Sequence, residues 1–395
     1  MKNQFYLQPK TILILFFSVL FSFHGVIAAP AKSAIQNSQI NLDKEFSNAA
    51  PAYKTTWSLG MEAAHSDDDL SNQKTQITFG LNLKFDANYK NGISLNLNPK
   101  IMAQNGYFQS QEAIDPSGSR IEVKNAALNF TATDALSISL GALNQMVHHD
   151  PLFMSDRAFP SLRSIIKSSE KEYHKFSAFI EGAIPTSSSL SNNSNDFTKS
   201  PSLVMAGFNY TLGDQNQAVL WSTQLNTYQF KDLPQTVATA SVLYGNAGTA
   251  TSGRDYIFKN EFQGYELFSR LLVQDFKETT FDATFAMILN SQASTGSNKG
   301  WRISAALGYD LNRRFQIKPG FEYFAIEEDA TVAAYNNMFM NTNRIGYVGS
   351  LSLVYNKLLK FNLQGGERVP IIDKGTAQPS EKFYLISVET TDAKI

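Results

Sequence analysis

The chain has 395 residues, 17% of them charged, a formal net charge of −1 and no cysteine. The missing thiols exclude disulfides, a thiol nucleophile, thiolate metal sites and a lipoprotein anchor. The balanced charge gives no footing for nucleic-acid binding, which shows as a basic excess. Soluble domains carry about 25% charged residues, yet a mean hydropathy of −0.22 is too polar for a bundle of membrane helices. A sheet with lipid on one face and water on the other satisfies both values, with Ser, Thr, Asn and Gln on the wet face.

Taken from the N-terminus, the first element is an export signal. Lys2 and Lys10 precede the apolar run Ile12 to Phe23, and Val26-Ile27-Ala28 supplies the small residues that a signal peptidase reads. Residues 1–28 are therefore expected to be a signal peptide cut before Ala29. The run is too short for a comfortable transmembrane helix, and no later stretch reaches the apolar length that one needs. Residues 29–52, with Pro30 and Pro51, read as a periplasmic leader.

From Tyr53 onward the period is two. Ile77, Phe79, Leu81, Leu83 and Phe85 alternate with Thr78, Gly80, Asn82 and Lys84. Ile93, Leu95, Leu97, Pro99 and Ile101 follow against Ser94, Asn96, Asn98 and Lys100. Later runs of the same kind begin at Phe281, Trp301, Phe315 and Ile345. Alternation over about 9 residues suits a strand that crosses a bilayer at a tilt. Trp301 and Tyr309, Phe315 and Tyr323, and Tyr347 and Tyr355 each lie eight residues apart on one face. Eight residues of strand cover about 26 Å, or about 20 Å along the normal at a tilt near 40°. That spacing approaches the height of an apolar band edged by aromatic girdles.

Short turns (Thr133-Asp134, Gly213 to Asn216, Leu311 to Arg314, Asn356-Lys357) alternate with long polar loops at 104–120, 229–254, 291–300, 327–343 and 369–380. The strand tally is fifteen, and its parity fails between Met146 and Pro201. Closed barrels of one bacterial chain carry an even number, so either a further strand lies there or one of the fifteen is false. The reading is an all-β transmembrane antiparallel β-barrel over residues 53–395, with 16 strands and a range of 14–18.

With those features the chain resembles a Gram-negative outer-membrane porin. The local match is Leu136-Ser137-Ile138-Ser139-Leu140-Gly141-Ala142-Leu143-Asn144, similar to the strand that ends in a glycine before a large loop in phosphate-selective porins. One feature departs from the pattern: such barrels end in an aromatic residue, whereas this chain ends Thr390-Thr391-Asp392-Ala393-Lys394-Ile395. The resemblance implies a place in the outer membrane, with lipid, small hydrophilic solutes and further copies in a homotrimer as partners. It implies passive diffusion and no cofactor.

Alternation puts Lys54, Lys84, Lys100, Arg302, Lys318, Arg344 and Lys360 on the wet face, against Glu62, Asp282, Asp310 and Glu322. Unpaired, that wall leans towards anions; paired across strands, it merely solvates the lumen. Segment 147–175 holds the densest basic cluster. Entering the lumen, it would set Arg157, Arg163, Lys167 and Lys171 against Asp150 and Asp156 as a constriction; left outside, it is an exposed loop. His148-His149-Asp150 lacks a third His at ligand spacing and reads poorly as a metal site. An outer-membrane hydrolase would need a nucleophile and base on the rim, and no Gly-x-Ser-x-Gly elbow is present. A structural or adhesive barrel is the other alternative; its loops would carry exposed aromatic clusters, whereas these loops are rich in Ser, Asn, Gly and Thr. A closed barrel predicts heat-modifiable migration on gels and a strand-rich circular dichroism spectrum in detergent; a helical spectrum would refute it.

Overall fold

The computed structural model describes residues 52–394, apart from 70–72, 90–91, 107–117, 169–172, 187–198, 214–217, 252–254, 277–278, 313, 337–338, 374–377 and 391–392. The signal peptide and nearly all of the leader fall outside the described residues, and Ala52 opens the first strand. The strands up to the largest loop are β1 (Ala52–Asp68), β2 (Gln73–Asn88), β3 (Ile93–Gly106), β4 (Gly118–Thr133), β5 (Leu136–Asn144), β6 (Ala158–Lys167), β7 (His174–Ala183), β8 (Ser202–Leu212) and β9 (Val219–Lys231). That loop holds helix α1 (Gln235–Leu243) and a small ribbon of β10 (Gly248–Ala250) and β11 (Tyr256–Phe258). After it come β12 (Gln263–Phe276), β13 (Thr279–Asn290), β14 (Lys299–Asp310), β15 (Phe315–Ile326), β16 (Arg344–Tyr355), β17 (Leu359–Pro370) and β18 (Glu381–Thr390).

Each barrel strand pairs antiparallel with its neighbour, β9 pairs β12, and β18 returns to β1. The result is a closed antiparallel barrel of 16 strands. A short β19 (Ala393–Lys394) prolongs the seam against Thr56 and Trp57. The chain's non-aromatic end thus still pairs with the first strand.

The fifteen strands read from alternation are all present, and the sixteenth is β6, inside the stretch where parity failed. It escaped the period-two reading because both of its faces carry apolar residues. Leu162 and Ile166 point outward and are exposed, while Phe159 on the inner face is buried. Prolines are absorbed by irregular pairing. A bulge separates Asn98 from Pro99. The β14–β15 ladder passes from Ala306–Gly320 to Tyr309–Ile317 without pairing Pro319, which has no N–H to give.

The outer face is apolar, with Phe79, Ile101, Leu140, Leu162, Phe208 and Phe321 among its exposed residues. Aromatic clusters mark its margins: Trp301 packs on Tyr323 at 5.4 Å, and Phe315 on Tyr355 at 4.9 Å. Tight turns gather at the rim where β1 begins. Asn356 and Lys357, both left-handed (φ 50° and 56°), make a type I′ hairpin closed by Leu358 N–H on Tyr355 O. Long connections gather at the opposite rim, the extracellular one in such barrels.

The interior near that outer rim is not wet. Inward-facing Phe159, Tyr228, Phe230 and Phe324 are buried against loop residues Phe153, Val332 and Tyr335. Asp329 and Asn246 stitch two loops together there: Asp329 accepts from Ala247 N–H at 2.9 Å and Asn260 Nδ2 at 2.7 Å, and Asn246 Oδ1 accepts from Ala333 N–H at 2.8 Å. The sidedness gives a direct prediction. Arg in place of Leu81 or Leu351 should cost about 2–4 kcal/mol in unfolding from lipid vesicles. Arg at the inward neighbours Asn82 or Ser350 should cost far less, and equal costs would refute the facing.

Candidate functional site

The site is built on the connection between β5 and β6, which turns into the lumen. Gly141 (φ 132°) prepares the turn: a Cβ there would lie 2.1 Å from Ala126 O, so only glycine fits. Asn144 closes the base of the segment. Its Oδ1 accepts from Met146 N–H at 2.9 Å, and its Nδ2 donates to Asp156 at 2.5 Å. A 3-10 turn, Met146–His148, then carries the chain inward.

Three anchors hold the segment to the far wall. His148 O accepts from the side-chain amides of Gln224 and Asn226 on β9. His149 Nδ1 lies 2.6 Å from Glu266 Oε2 on β12, whose other oxygen accepts from Asp150 N–H at 2.8 Å. Asp150, fully buried, takes Arg302 of β14 at 2.9 and 2.5 Å. Leu152, Phe153 and Met154 are buried in turn, with Phe153 on Tyr228 at 4.5 Å. The chain returns past Ser155, which donates to Tyr335 O at 2.7 Å, to Asp156, 3.4 Å from Lys124 Nζ. Burial, with Arg163 adding to it, pushes the His148 imidazole down to about 3, so its ring stacks neutral on Phe179.

Of the residues singled out in the sequence, Asp150, Asp156 and Arg157 belong to the inserted segment. Arg157 lies 5.6 Å from the Tyr335 ring. Arg163 and Lys167 do not join them in a loop, because residues 158–167 form β6. Arg163 pairs with Glu181 of β7 at 2.5 Å. Lys167 ends β6 near the tight-turn rim, its N–H on Ala135 O. Ten strand residues span about 33 Å, so Arg157 and Lys167 cannot form one cationic side. Lys171 lies outside the described residues.

On the wall, Lys84 faces inward opposite Thr56. Lys100 shares a lumen cavity with Glu62, Arg120, Glu122 and Lys124. Lys318 lies 3.2 Å from Asp282, Arg302 lies 2.5 Å from Glu322, and Arg344 is fully buried beside Glu381. Among these charges, cross-strand pairing therefore prevails over a free cationic wall. Sequence reasoning missed Glu266, Arg270 and Lys124. The first two lie on β12, where Phe268 and Leu272 also face inward and blur the alternation. Lys124 sits at the β4 irregularity opposite Asn98 and Pro99.

The sequence matches no family model and no curated protein. In three dimensions the chain is similar to Pseudomonas putida OprB at 12% identity, over 90% of this chain and 95% of that one, with a TM-score of 0.54. It is also similar to a loop L8 deletion mutant of OmpT, an outer membrane protein of Vibrio cholerae, at 11% identity over 87% and 99%, with a TM-score of 0.52. The fold is that of an outer-membrane porin-type barrel. Its lipid-facing exterior agrees with a place in the outer membrane.

The anchors generate a multiple-mutant test. Arg302→Ala leaves Asp150 and Glu322 without their shared partner and should destabilise the barrel by about 3–5 kcal/mol. Arg302→Met with Asp150→Leu and Glu322→Gln should recover most of that loss in urea unfolding. A triple variant as unstable as Arg302→Ala would show that the triad does more than neutralise itself.

Proposed function

We propose that the chain is an outer-membrane porin through which small hydrophilic solutes diffuse passively, with residues 145–157 as its constriction. The observation that carries this reading is the inserted segment itself, tied to β9, β12 and β14 by His148, His149 and Asp150. A barrel of 16 strands is wide enough to leave an aqueous channel, and an inserted segment narrows it. Beside the segment the lumen retains polar space, in cavities of about 420 and 280 Å3 lined by charged and hydroxyl side chains. Asp150 and Asp156 help to fix the constriction rather than stand free in it, since each is engaged by a wall cation, Arg302 and Lys124 respectively.

Any anion preference is weak in this proposal, because Lys318 and Arg302 are paired with carboxylates. Residues 1–28 serve as the signal peptide and 29–51 as the leader. The two histidines of the segment serve packing and anchoring, which supports transport over hydrolysis as the role of this chain.

In planar bilayers the refolded mature protein should show ohmic conductance steps, with reversal potentials near zero to weakly anion-selective in a salt gradient. Replacing residues 147–155 with a Gly-Ser linker should raise the single-channel conductance by about twofold or more, since the narrowest section dominates the resistance of a pore. Silence of the wild-type protein would overturn the porin reading. Unchanged conductance in the linker variant would remove the constriction from this segment.

A further inference from the structure

Two ion triads of opposite residual charge meet at one cavity of about 420 Å3 inside the barrel. In the first, Arg302 lies between two carboxylates, Asp150 at 2.9 and 2.5 Å and Glu322 at 2.5 Å. One cation against two anions leaves a negative end. In the second, Asp282 lies between two cations, Arg270 through two bonds of 2.9 Å and Lys318 at 3.2 Å. One anion against two cations leaves a positive end. The accessible members carry the residual sign. Arg270 and Lys318 are 45% and 39% exposed and Glu322 21%, whereas Asp150 is fully buried and Asp282 16% exposed.

Small residues make the floor between the two ends. On β15, Gly320 lies midway between Lys318 and Glu322 on the same face, with Ala306 and Ser350 as its cross-strand neighbours. A Cβ at Gly320 would lie 2.6 Å from Ser350 Oγ, so the floor is low because glycine keeps it so. Phe268 and Phe339 flank it. Asp282 pairs with Ala306, four residues from Arg302 along β14. Through the ladders Arg270 is level with Thr284, Ser304 and Glu322, three strands away, and Asp282 is level with Ala306 and Gly320. Three inter-strand spacings put the Arg270 and Glu322 backbones about 14 Å apart.

We propose that this cavity binds a zwitterionic peptide of about three residues, its ammonium on Glu322 and its carboxylate on Arg270 and Lys318. Allowing about one ion-pair distance at each end of the 14 Å leaves about 9 Å, close to the span of three extended residues. A free amino acid reaches only one end. An uncharged sugar makes hydrogen bonds but no ion pair with either residual charge, and a simple anion uses only the positive one.

The inference rests on the porin reading, and the two are separated by measuring binding and conductance independently. Isothermal titration of the detergent-refolded mature chain uses trialanine, alanine, and trialanine blocked at the N-terminus, the C-terminus or both. Trialanine should bind at least tenfold more tightly than alanine or the doubly blocked peptide. Glu322→Gln should abolish the discrimination against N-terminal blocking while keeping that against C-terminal blocking, and Lys318→Gln should weaken the latter. A merely structural role for these residues would not split the two ends. Equal affinity for blocked and free trialanine, or no binding heat, overturns the proposal. Conductance in potassium chloride without trialanine binding would leave the porin standing and this site refuted; binding without conductance would support the site and refute the porin.

Discussion

Closure of the sheet is the constraint from which the rest follows. In lipid no water is present to satisfy a free backbone N–H or C=O, so a spanning sheet has to leave no open edge. The pairing of β18 back onto β1 removes the last one. Once the ring is closed, the pleat gives every spanning residue one of two environments. That is why Phe79 and Leu81 face outward while Thr78, Asn82 and Lys84 face the lumen, with no intermediate choice. The same closure creates a second problem: sixteen strands enclose more width than wall side chains can fill. The chain answers it by turning connecting segments inward.

Filling the lumen with backbone is costly unless each polar group finds a partner. The inserted segment meets that condition with a sequence of long-range bonds, His148 O to Asn226, His149 and the Asp150 N–H to Glu266, and the Asp150 carboxylate to Arg302. Each wall partner is buried by the segment it holds, so the burial of Glu266 and the order of the loop are the same event. Beyond the segment, Phe153, Tyr228, Phe230 and Tyr335 form a packed aromatic core of the kind found inside soluble domains. The outer half of the barrel therefore carries apolar residues on both faces, lipid outside and loop inside. The mixed-charge cavities lie where the wall is not covered in this way.

This two-sided burial explains how much was legible in the sequence. Strands whose inner face meets water, such as β2, β3 and β14 to β16, show clean alternation. Strand β6 does not, because Phe159 packs inward on Tyr335 while Leu162 faces out. Parity, a global property that survives the loss of the local signal, allows either a strand hidden in that stretch or a false one among the fifteen, and β6 is the former. The site was less legible for a different reason. Arg302 and Asp150 are 152 residues apart, and His149 and Glu266 are 117 apart. Alternation says that a side chain faces the lumen; it says nothing about which opposing charge reaches it. Grouping Arg157, Arg163 and Lys167 by nearness in sequence failed because a strand spreads neighbours along a line instead of gathering them.

The same distinction bears on how a lumen like this one selects. A tally of wall charges treats every Lys and Arg as an independent source of field. In the folded chain the wall cations of the larger cavity are bound in triads, and what a solute meets is the charge left after pairing. Arg302, held by two carboxylates, presents a negative end; Asp282, held by two cations, presents a positive one. The two residual charges offset one another in sum, while their separation across three strands survives. A dipolar wall has little effect on a small ion, which samples both ends in transit. It acts strongly on a solute long enough to touch both at once, because only that solute satisfies two residual charges in a single pose.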